Sequence, residues 1–227
     1  MKQIILALFS VLLYLTSFAQ NDVTKFLGFP IDGSEHEMIQ NLKSKGFKPS
    51  SYEQKKYLTG RFNGVDVNVY ISTENGKVAR IMVCDENTRN ETDIRIRFNK
   101  LCEQFNNNGK YVSFNDFKIP EDEDIGYEIL VHNKRYEAEF FQLPEKSVLE
   151  NFQQSYMNSI LETYILEDLK DDEKEKLKEH FISEMREALY ELVKNKPVWF
   201  MISEFRGEYY ISMYYDNEYN HAHGEDL

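Results

Sequence analysis

The sequence predicts an α+β fold: an antiparallel β-meander and hairpins, with helices packed on one face. One observation is the stretch 56–84, where Asn-Gly pairs at 63–64 and 75–76 separate three runs of alternating apolar and polar residues. Asn-Gly between such runs indicates a β-hairpin, because both central residues of a type I′ turn need a positive φ. The other observation is the helical spacing of apolar residues over 92–107, which is typical of a helix with one buried face.

The two Asn-Gly turns predict a register for the meander. The first turn places Leu58 opposite Val69, and the second places Val69 opposite Met82. Continuing the same pairing puts Val67 opposite Cys84. A shift of one residue would turn every side chain to the other face, so we expect a single apolar face. Its predicted members are Leu58, Phe62, Val65, Val67, Val69, Ile71, Val78, Met82 and Cys84.

The helix predicted over 92–107 has one apolar side, and we expect this side to cover the apolar face of the meander. Its apolar residues recur mostly at intervals of three and four. They are Ile94, Phe98, Leu101, Cys102 and Phe105.

Hairpins and helices alternate through the rest of the chain. We predict a hairpin over 127–143 that turns at Asn133, two helices between 144 and 193, and a last hairpin over 198–215. The alternative to the two helices is one long bent helix. The acidic residues 171–173 separate the two helices, because carboxylates favour a helix N-terminus.

These elements suggest a division of the chain into four parts. A signal peptide occupies 1–19, a helix–meander–helix unit 20–118, a hairpin–helices–hairpin unit packed with it 119–215, and a polar tail 216–227. The motif Phe-x-Gly precedes a strand in both units. Either a duplicated helix-plus-sheet unit or ordinary hairpin chemistry explains this repetition.

The first residues have the pattern of an export signal. Lys2 precedes an apolar stretch over 4–15, and Ser17-Phe18-Ala19 fits a cleavage site before Gln20. The alternative is an N-terminal anchor, although the apolar stretch is short for a membrane span. We therefore expect an exported protein, periplasmic or secreted, with no membrane anchor after cleavage between Ala19 and Gln20.

Composition narrows the classes of partner. The formal net charge is −12, and 41% of the residues are hydrophobic. This hydrophobic fraction is ordinary for a globular protein. Nucleic-acid binding needs a basic surface, so we expect no nucleic-acid partner.

Two cysteines, Cys84 and Cys102, fall on surfaces that are predicted to face each other. Export would permit a disulfide between them. The alternative is two buried thiols that behave as small apolar side chains.

The last hairpin, turning at 206–207, carries the strongest binding candidates. One of its faces is apolar, and the other mixes aromatic and polar residues, with Trp199 opposite Tyr214. Trp199, Tyr210 and Tyr214 on that face would suit the stacking of a sugar or peptide. The alternative is a second packing layer.

The tail contains candidate metal ligands. His221 and His223 lie near Asp216 and Glu218, and imidazole and carboxylate groups bind transition metals. A solvated polar tail is the alternative. We expect no cofactor, because the sequence contains neither a glycine-rich phosphate loop nor a nucleophile–base motif.

Three stretches resemble an uncharacterised family of small exported bacterial proteins. They are FLGFPIDGSEHEMIQNLKSKGF, RIMVCDEN with FNKLCEQF, and VWFMISEF with ISMYYDNEYN. The resemblance implies export and the extent of the mature chain, but no active site. The helix-then-meander order is also similar to the β-lactamase-inhibitor-protein fold, an analogy that does not extend to function.

Three functions agree with these observations. The first is a non-enzymatic binding or interaction protein of the bacterial envelope, with an unidentified protein or glycan as partner. The second is a carboxylate-dependent, glycosidase-like hydrolase, which would need two acids with separated pKa values in an aromatic pocket. The third is a carbohydrate-binding module that uses the Trp199 face.

Overall fold

A computed structural model describes the backbone of residues 22–52, 55–163 and 171–221, and the side chains in these ranges except those of 155–178. The predicted signal peptide, with its cleavage between Ala19 and Gln20, lies outside the described residues, and so does His223. The described strands are β1 (Lys25–Phe26), β2 (Phe29–Pro30), β3 (Lys48–Tyr52), β4 (Lys55–Phe62), β5 (Val65–Glu74), β6 (Lys77–Asp85), β7 (Tyr111–Val112), β8 (Glu137–Gln142), β9 (Pro197–Phe205) and β10 (Glu208–Asp216). The described helices are α1 (Glu35–Ser44), α2 (Glu91–Asn106), α3 (Ile125–His132), α4 (Lys146–Thr163) and α5 (Asp171–Val193).

The predicted α+β class is confirmed, because eight of these strands form one large antiparallel sheet. Their order is β3-β4-β5-β6-β10-β9-β8-β7, and β1 and β2 form a separate small hairpin. Strand β10 pairs with β6, with Met213 opposite Val83. The last hairpin therefore continues the meander, and strands from both halves of the chain share one sheet.

Both Asn-Gly turns form as predicted. Asn63 and Gly64 have φ values of 52° and 83°, and Asn75 and Gly76 have values of 51° and 77°. Asparagine and glycine reach these left-handed values at the lowest steric cost. The β4–β5 register is the predicted one, for example with Gly60 opposite Val67.

The predicted β5–β6 register is wrong beyond the turn, because a β-bulge lies between Ser72 and Thr73. The extra residue is Ala79, since Thr73 pairs with Val78 and Ser72 pairs with Arg80. A bulge of this kind advances the register of one strand by one residue. Beyond the bulge, every pair is therefore shifted by one residue from the predicted one: Val69 pairs with Val83, and Cys84 pairs with Asn68. Residues Met82 and Cys84 therefore face away from the core, and Ile81 and Val83 are buried in it.

Helix α2 forms where it was predicted, but it packs elsewhere. The five residues of its predicted apolar side are all buried. Its main sheet contacts are with β10, β7 and β9, including an edge-to-face contact of Phe98 with Phe200 at 5.0 Å. The meander strands β5 and β6 instead contact α1, which buries Met38 and Leu42. The prediction failed because the last hairpin, distant in sequence, inserts beside the meander and receives α2.

The predicted hairpin over 127–143 is also wrong, because its first half is helix α3. Asp124 caps this helix by accepting a hydrogen bond from the Tyr127 N–H at 2.8 Å. Asn133 has a φ of 52° and ends the helix in the left-handed conformation. Asparagine in this conformation ends a helix as readily as it turns a hairpin, so the local sequence was ambiguous. The second half does form a strand, β8, which pairs with β9.

The last hairpin forms with its predicted register, and Trp199 lies opposite Tyr214. Its predicted apolar face is buried against the helices and belongs to the main core. The members of that face are Val198, Phe200, Ile202, Tyr209, Ile211 and Met213. The opposite face of the sheet, which we call the outer face, carries the candidate site.

Candidate functional site

A row of aromatic and thioether side chains crosses the outer face of the sheet. Residues paired across neighbouring antiparallel strands point to the same face. The pairs Trp199–Tyr214, Tyr214–Met82 and Met82–Tyr70 are successive in the sheet, and the Tyr57 ring lies 5.5 Å from the Tyr70 ring. We call this row the aromatic strip; its members are Tyr57, Tyr70, Met82, Tyr214 and Trp199. It crosses five strands, about 19 Å at a strand spacing of about 4.8 Å, and each member is partly exposed.

Two predicted site residues meet in this strip. The rings of Trp199 and Tyr214 stack with centroids 4.0 Å apart and planes at 15°. This centroid distance is close to the spacing of neighbouring strands, about 4.8 Å. The rings therefore stand upright on the sheet, and each covers one face of the other. Their edges, rather than their stacked faces, are then available to a ligand. The third predicted residue, Tyr210, is half-buried and pairs with Ser203 farther along the same hairpin.

A buried carboxylate fixes the Trp199 end of the strip. Asp216 is only 2% exposed, and its two oxygens accept hydrogen bonds from Arg80 Nε and Nη2 at 2.5 and 2.8 Å. The indole N–H of Trp199 donates to Asp216 Oδ2 at 2.8 Å. The Arg80 guanidinium lies 5.2 Å from the Tyr214 ring centroid, within the range of a cation–π contact. This hydrogen bonding also raises the pKa of Arg80, so the arginine stays charged.

Three of the four candidate metal ligands, Asp216, Glu218 and His221, lie close together. The ligand atoms of Asp216, Glu218 and His221 lie within 4.8 Å of one another. His221 Nδ1 is also 3.0 Å from a carboxylate oxygen of Glu74. Since Arg80 already neutralises Asp216 and uses both of its oxygens, a divalent cation would have to compete with a bidentate ion pair. We therefore assign no metal to this group.

The disulfide between Cys84 and Cys102 does not form, because the bulge places the two residues on opposite faces of the sheet. Both are free thiols. The Cys84 sulfur lies 3.7 Å from the Ser212 hydroxyl on the outer face. Cys102 belongs to the buried side of α2. Burial raises the pKa of Cys84, and it raises the pKa of Cys102 to about 12. The alternative of two buried thiols therefore holds for Cys102 only, because Cys84 is partly exposed.

Two carboxylates, those of Glu137 and Glu139, line a pocket of about 460 Å³ beside Trp199. Glu139 is directly opposite Trp199 in the β8–β9 pairing, and Glu137 is two residues away on the same face. Glu137 pairs with Arg135 at 3.0 Å. Burial, followed by the charges of Glu137 and Glu218, raises the pKa of Glu139.

We expect the fluorescence of Trp199 to report this titration, because it is the only tryptophan in the chain. The emission should change with a midpoint above the ordinary glutamate pKa, as Glu139 loses its proton at higher pH than an exposed carboxyl. The folded state also binds this proton more tightly than the unfolded state does. Glu139 therefore favours folding most at low pH, and this contribution falls as pH rises through the unfolded-state and then the folded-state pKa.

The matched measurement uses Glu139→Gln, which keeps the shape of the side chain and removes its charge. Its emission should stay flat across the pH interval in which the wild type changes. An unchanged transition in this variant would assign the titration to a group other than Glu139.

Sequence reasoning missed several residues of the outer face. Tyr57 and Tyr70 were detectable, because each is next to a core residue, Leu58 and Val69, in an alternating strand. Met82 was assigned to the wrong face by the hidden bulge. Arg80 and Asp216 carried no local signal, since their contact joins residues 136 positions apart.

The comparisons with known proteins found no relative. No family model, no curated protein and no solved structure matches this chain. Among the described residues, none of the helices has the length and apolar character needed to cross a membrane.

Proposed function

We propose that this protein is an exported binding or interaction protein of the bacterial envelope, and that it contacts its partner through the aromatic strip. The observation that carries the proposal is the strip itself: five partly exposed tyrosine, tryptophan and methionine side chains aligned across five strands. Contiguous apolar surface of this kind marks interaction sites on soluble proteins.

The composition of the strip suits a protein partner. Tyrosine, tryptophan, methionine and arginine are enriched in the centres of protein–protein interfaces, and all four line this part of the outer face. The strip is also pre-organised, since Trp199 is hydrogen-bonded to Asp216 and stacked on Tyr214. Fixed side chains lose little conformational entropy when a partner binds. The stacked rings of Trp199 and Tyr214 present their edges to a ligand, whereas a sugar ring stacks on an open aromatic face. The strip therefore suits a protein surface better than a sugar.

The test removes the two tyrosines at the far end of the strip, Tyr57 and Tyr70, without touching the Asp216 cluster. The double variant Tyr57→Ser/Tyr70→Ser should lose the partner that the wild type recovers from envelope extracts. Hot-spot tyrosines each contribute about 2 kcal/mol or more to binding, so retention should fall by more than about tenfold.

Tyr127→Ser is the matched control, because Tyr127 is an exposed tyrosine of α3 outside the strip. It should retain the partner. If the wild type retains no protein, peptide or glycan, or if the control loses binding equally, the proposal is wrong.

A second candidate function is supported by the two carboxylates beside Trp199. A glycosidase-like hydrolase needs one carboxyl with a raised pKa and a second that stays ionised. Glu139 has the raised pKa, and the Glu137 carboxylate is paired with Arg135. The test is turnover of aryl glycosides. This function is favoured over the first if Glu139→Gln abolishes turnover and Tyr57→Ser/Tyr70→Ser leaves it unchanged.

A further inference from the structure

We propose that a cleft next to the β1–β2 hairpin binds an amphipathic anion, a molecule with one negatively charged headgroup and an apolar body. The cleft has a volume of about 970 Å³, near the top of the range of roughly 300–1,000 Å³ that small-molecule sites occupy. None of its lining residues belongs to the aromatic strip. The proposal is therefore independent of the function proposed above.

Three of the lysines that line the cleft are held around the same two residues. The Gln142 N–H donates to the Lys196 carbonyl at 3.0 Å, and the Leu143 N–H donates to the Lys110 carbonyl at 2.9 Å. The side-chain amide of Gln142 bonds both the N–H and the carbonyl of Lys25, at 2.8 and 2.6 Å. A fourth lysine, Lys146, also lines the cleft. The backbone of three lysines distant in sequence is thus held at one part of the cleft.

The positive charge of these lysines is only partly balanced. Within the lining, the four lysines face a single acid, Glu145. Just outside it, Asp22 pairs with Lys196 at 2.6 Å, and Glu150 pairs with Lys146 at 3.4 Å. Among the described residues, Lys110 has no carboxylate within ion-pair distance. The four lysines and three acids leave one uncompensated positive charge at the cleft, in a chain of net charge −12, and this charge favours an anion there.

The remaining lining suits an apolar body. Leu27 and Phe62 are partly buried and pack against the core, and Phe105 and Leu149 also line the cleft. Phe105 belongs to the last turn of α2, where the carbonyl groups carry partial negative charge. This charge disfavours an anion at the helix end. The headgroup is therefore directed to the lysines and the apolar part to Phe62 and its neighbours.

One of the cleft lysines, Lys25, forms an exposed ion pair. Lys25 Nζ lies 2.9 Å from Glu145, and the two side chains are 40% and 71% exposed. Exposed pairs of this kind contribute little free energy, so an incoming headgroup displaces Glu145 at small cost. Removing the Glu145 charge should consequently strengthen binding of the anion.

Titration calorimetry with decanoate, decanol and decylamine tests the headgroup. The three probes share an alkyl chain and differ in charge. Non-specific attraction to a protein of charge −12 favours decylamine, so tighter binding of decanoate requires a local cationic site. Decyl phosphate, as a fourth probe, distinguishes a carboxylate headgroup from a phosphate headgroup. The proposal is wrong if neither decanoate nor decyl phosphate binds more tightly than decanol.

Three variants locate the site. We expect Lys110→Gln to weaken decanoate binding about fivefold and Glu145→Gln to strengthen it about threefold. Lys118→Gln, at an exposed lysine outside the cleft, should leave it unchanged. A misfolded protein would not gain affinity, so the Glu145 variant separates the proposal from loss of structure. Equal effects of Lys110→Gln and Lys118→Gln, or no gain with Glu145→Gln, would contradict it.

Discussion

The variant Phe200→Ala is expected to lower the free energy of unfolding by about 4 kcal/mol, the middle of the range for removing a buried phenylalanine. Phe200 is fully buried, and its ring packs against Phe98, Phe105 and Phe140 at centroid distances of 5.0, 5.7 and 6.0 Å. Because these three rings come from α2 and β8, alanine would leave a cavity between a helix and the sheet. Urea denaturation followed by circular dichroism measures the loss.

Phe205→Ala is the control for this prediction. Phe205 lies at the end of the same strand and is 55% exposed, so its removal should change stability by no more than about 0.5 kcal/mol. Similar losses for the two variants would mean that Phe200 is not at the centre of the core.

The second large effect is expected for Asp216→Ala, with a loss of about 3 kcal/mol. Removing one partner of a buried ion pair leaves the other charge uncompensated, and this typically costs 3–5 kcal/mol. We expect the lower limit because Arg80 retains some exposure to solvent, with a side chain 33% exposed. The Trp199 indole also loses its hydrogen-bond acceptor. A shift in the emission of this single tryptophan should therefore accompany the loss of stability.

Asp66→Ala provides the comparison, because Asp66 forms an exposed pair with Arg61 at 3.6 Å. Surface pairs are worth about 0–1 kcal/mol, so this variant should be nearly neutral and leave the tryptophan emission unchanged. If Asp216→Ala were equally mild, the buried network would not be what orders this end of the strip.

Local signals predicted the parts of the fold that depend on neighbouring residues. The turns at Asn63-Gly64 and Arg206-Gly207 have the positive φ values that their hairpins require. Helix α2 lies within one residue of its predicted range, because five apolar residues define one helical side. The order of strands in the sheet was not predictable in this way, since β6 and β10 are joined only by contacts across the whole chain.

The errors have specific physical causes. Ile81 and Val83 are as apolar as Met82 and Cys84, so the hydrophobic pattern accepts either register of β6, and only the bulge decides between them. At Asn133 the left-handed conformation serves a helix end as well as a turn. Each ambiguity is resolved by packing against elements elsewhere in the sequence.

The candidate site was likewise predictable only where its residues belong to the same local element. The Trp199–Tyr214 pair was predicted because both residues belong to one hairpin. Arg80 and Tyr70, which belong to the meander, join them only through the β6–β10 pairing. The lysine cleft had no sequence signature, because Lys25, Lys110 and Lys196 come from three distant segments.

The position of β10 in the sheet also has a consequence for the order of events during biosynthesis. This strand, the last in the described chain, lies between β6 and β9 in the middle of the sheet. The two halves of the sheet therefore stay separate until residues near 216 have been synthesised, and contacts over such long sequence separations form slowly. A premature stop codon upstream of β10 would therefore remove a strand from the middle of the sheet rather than from its edge.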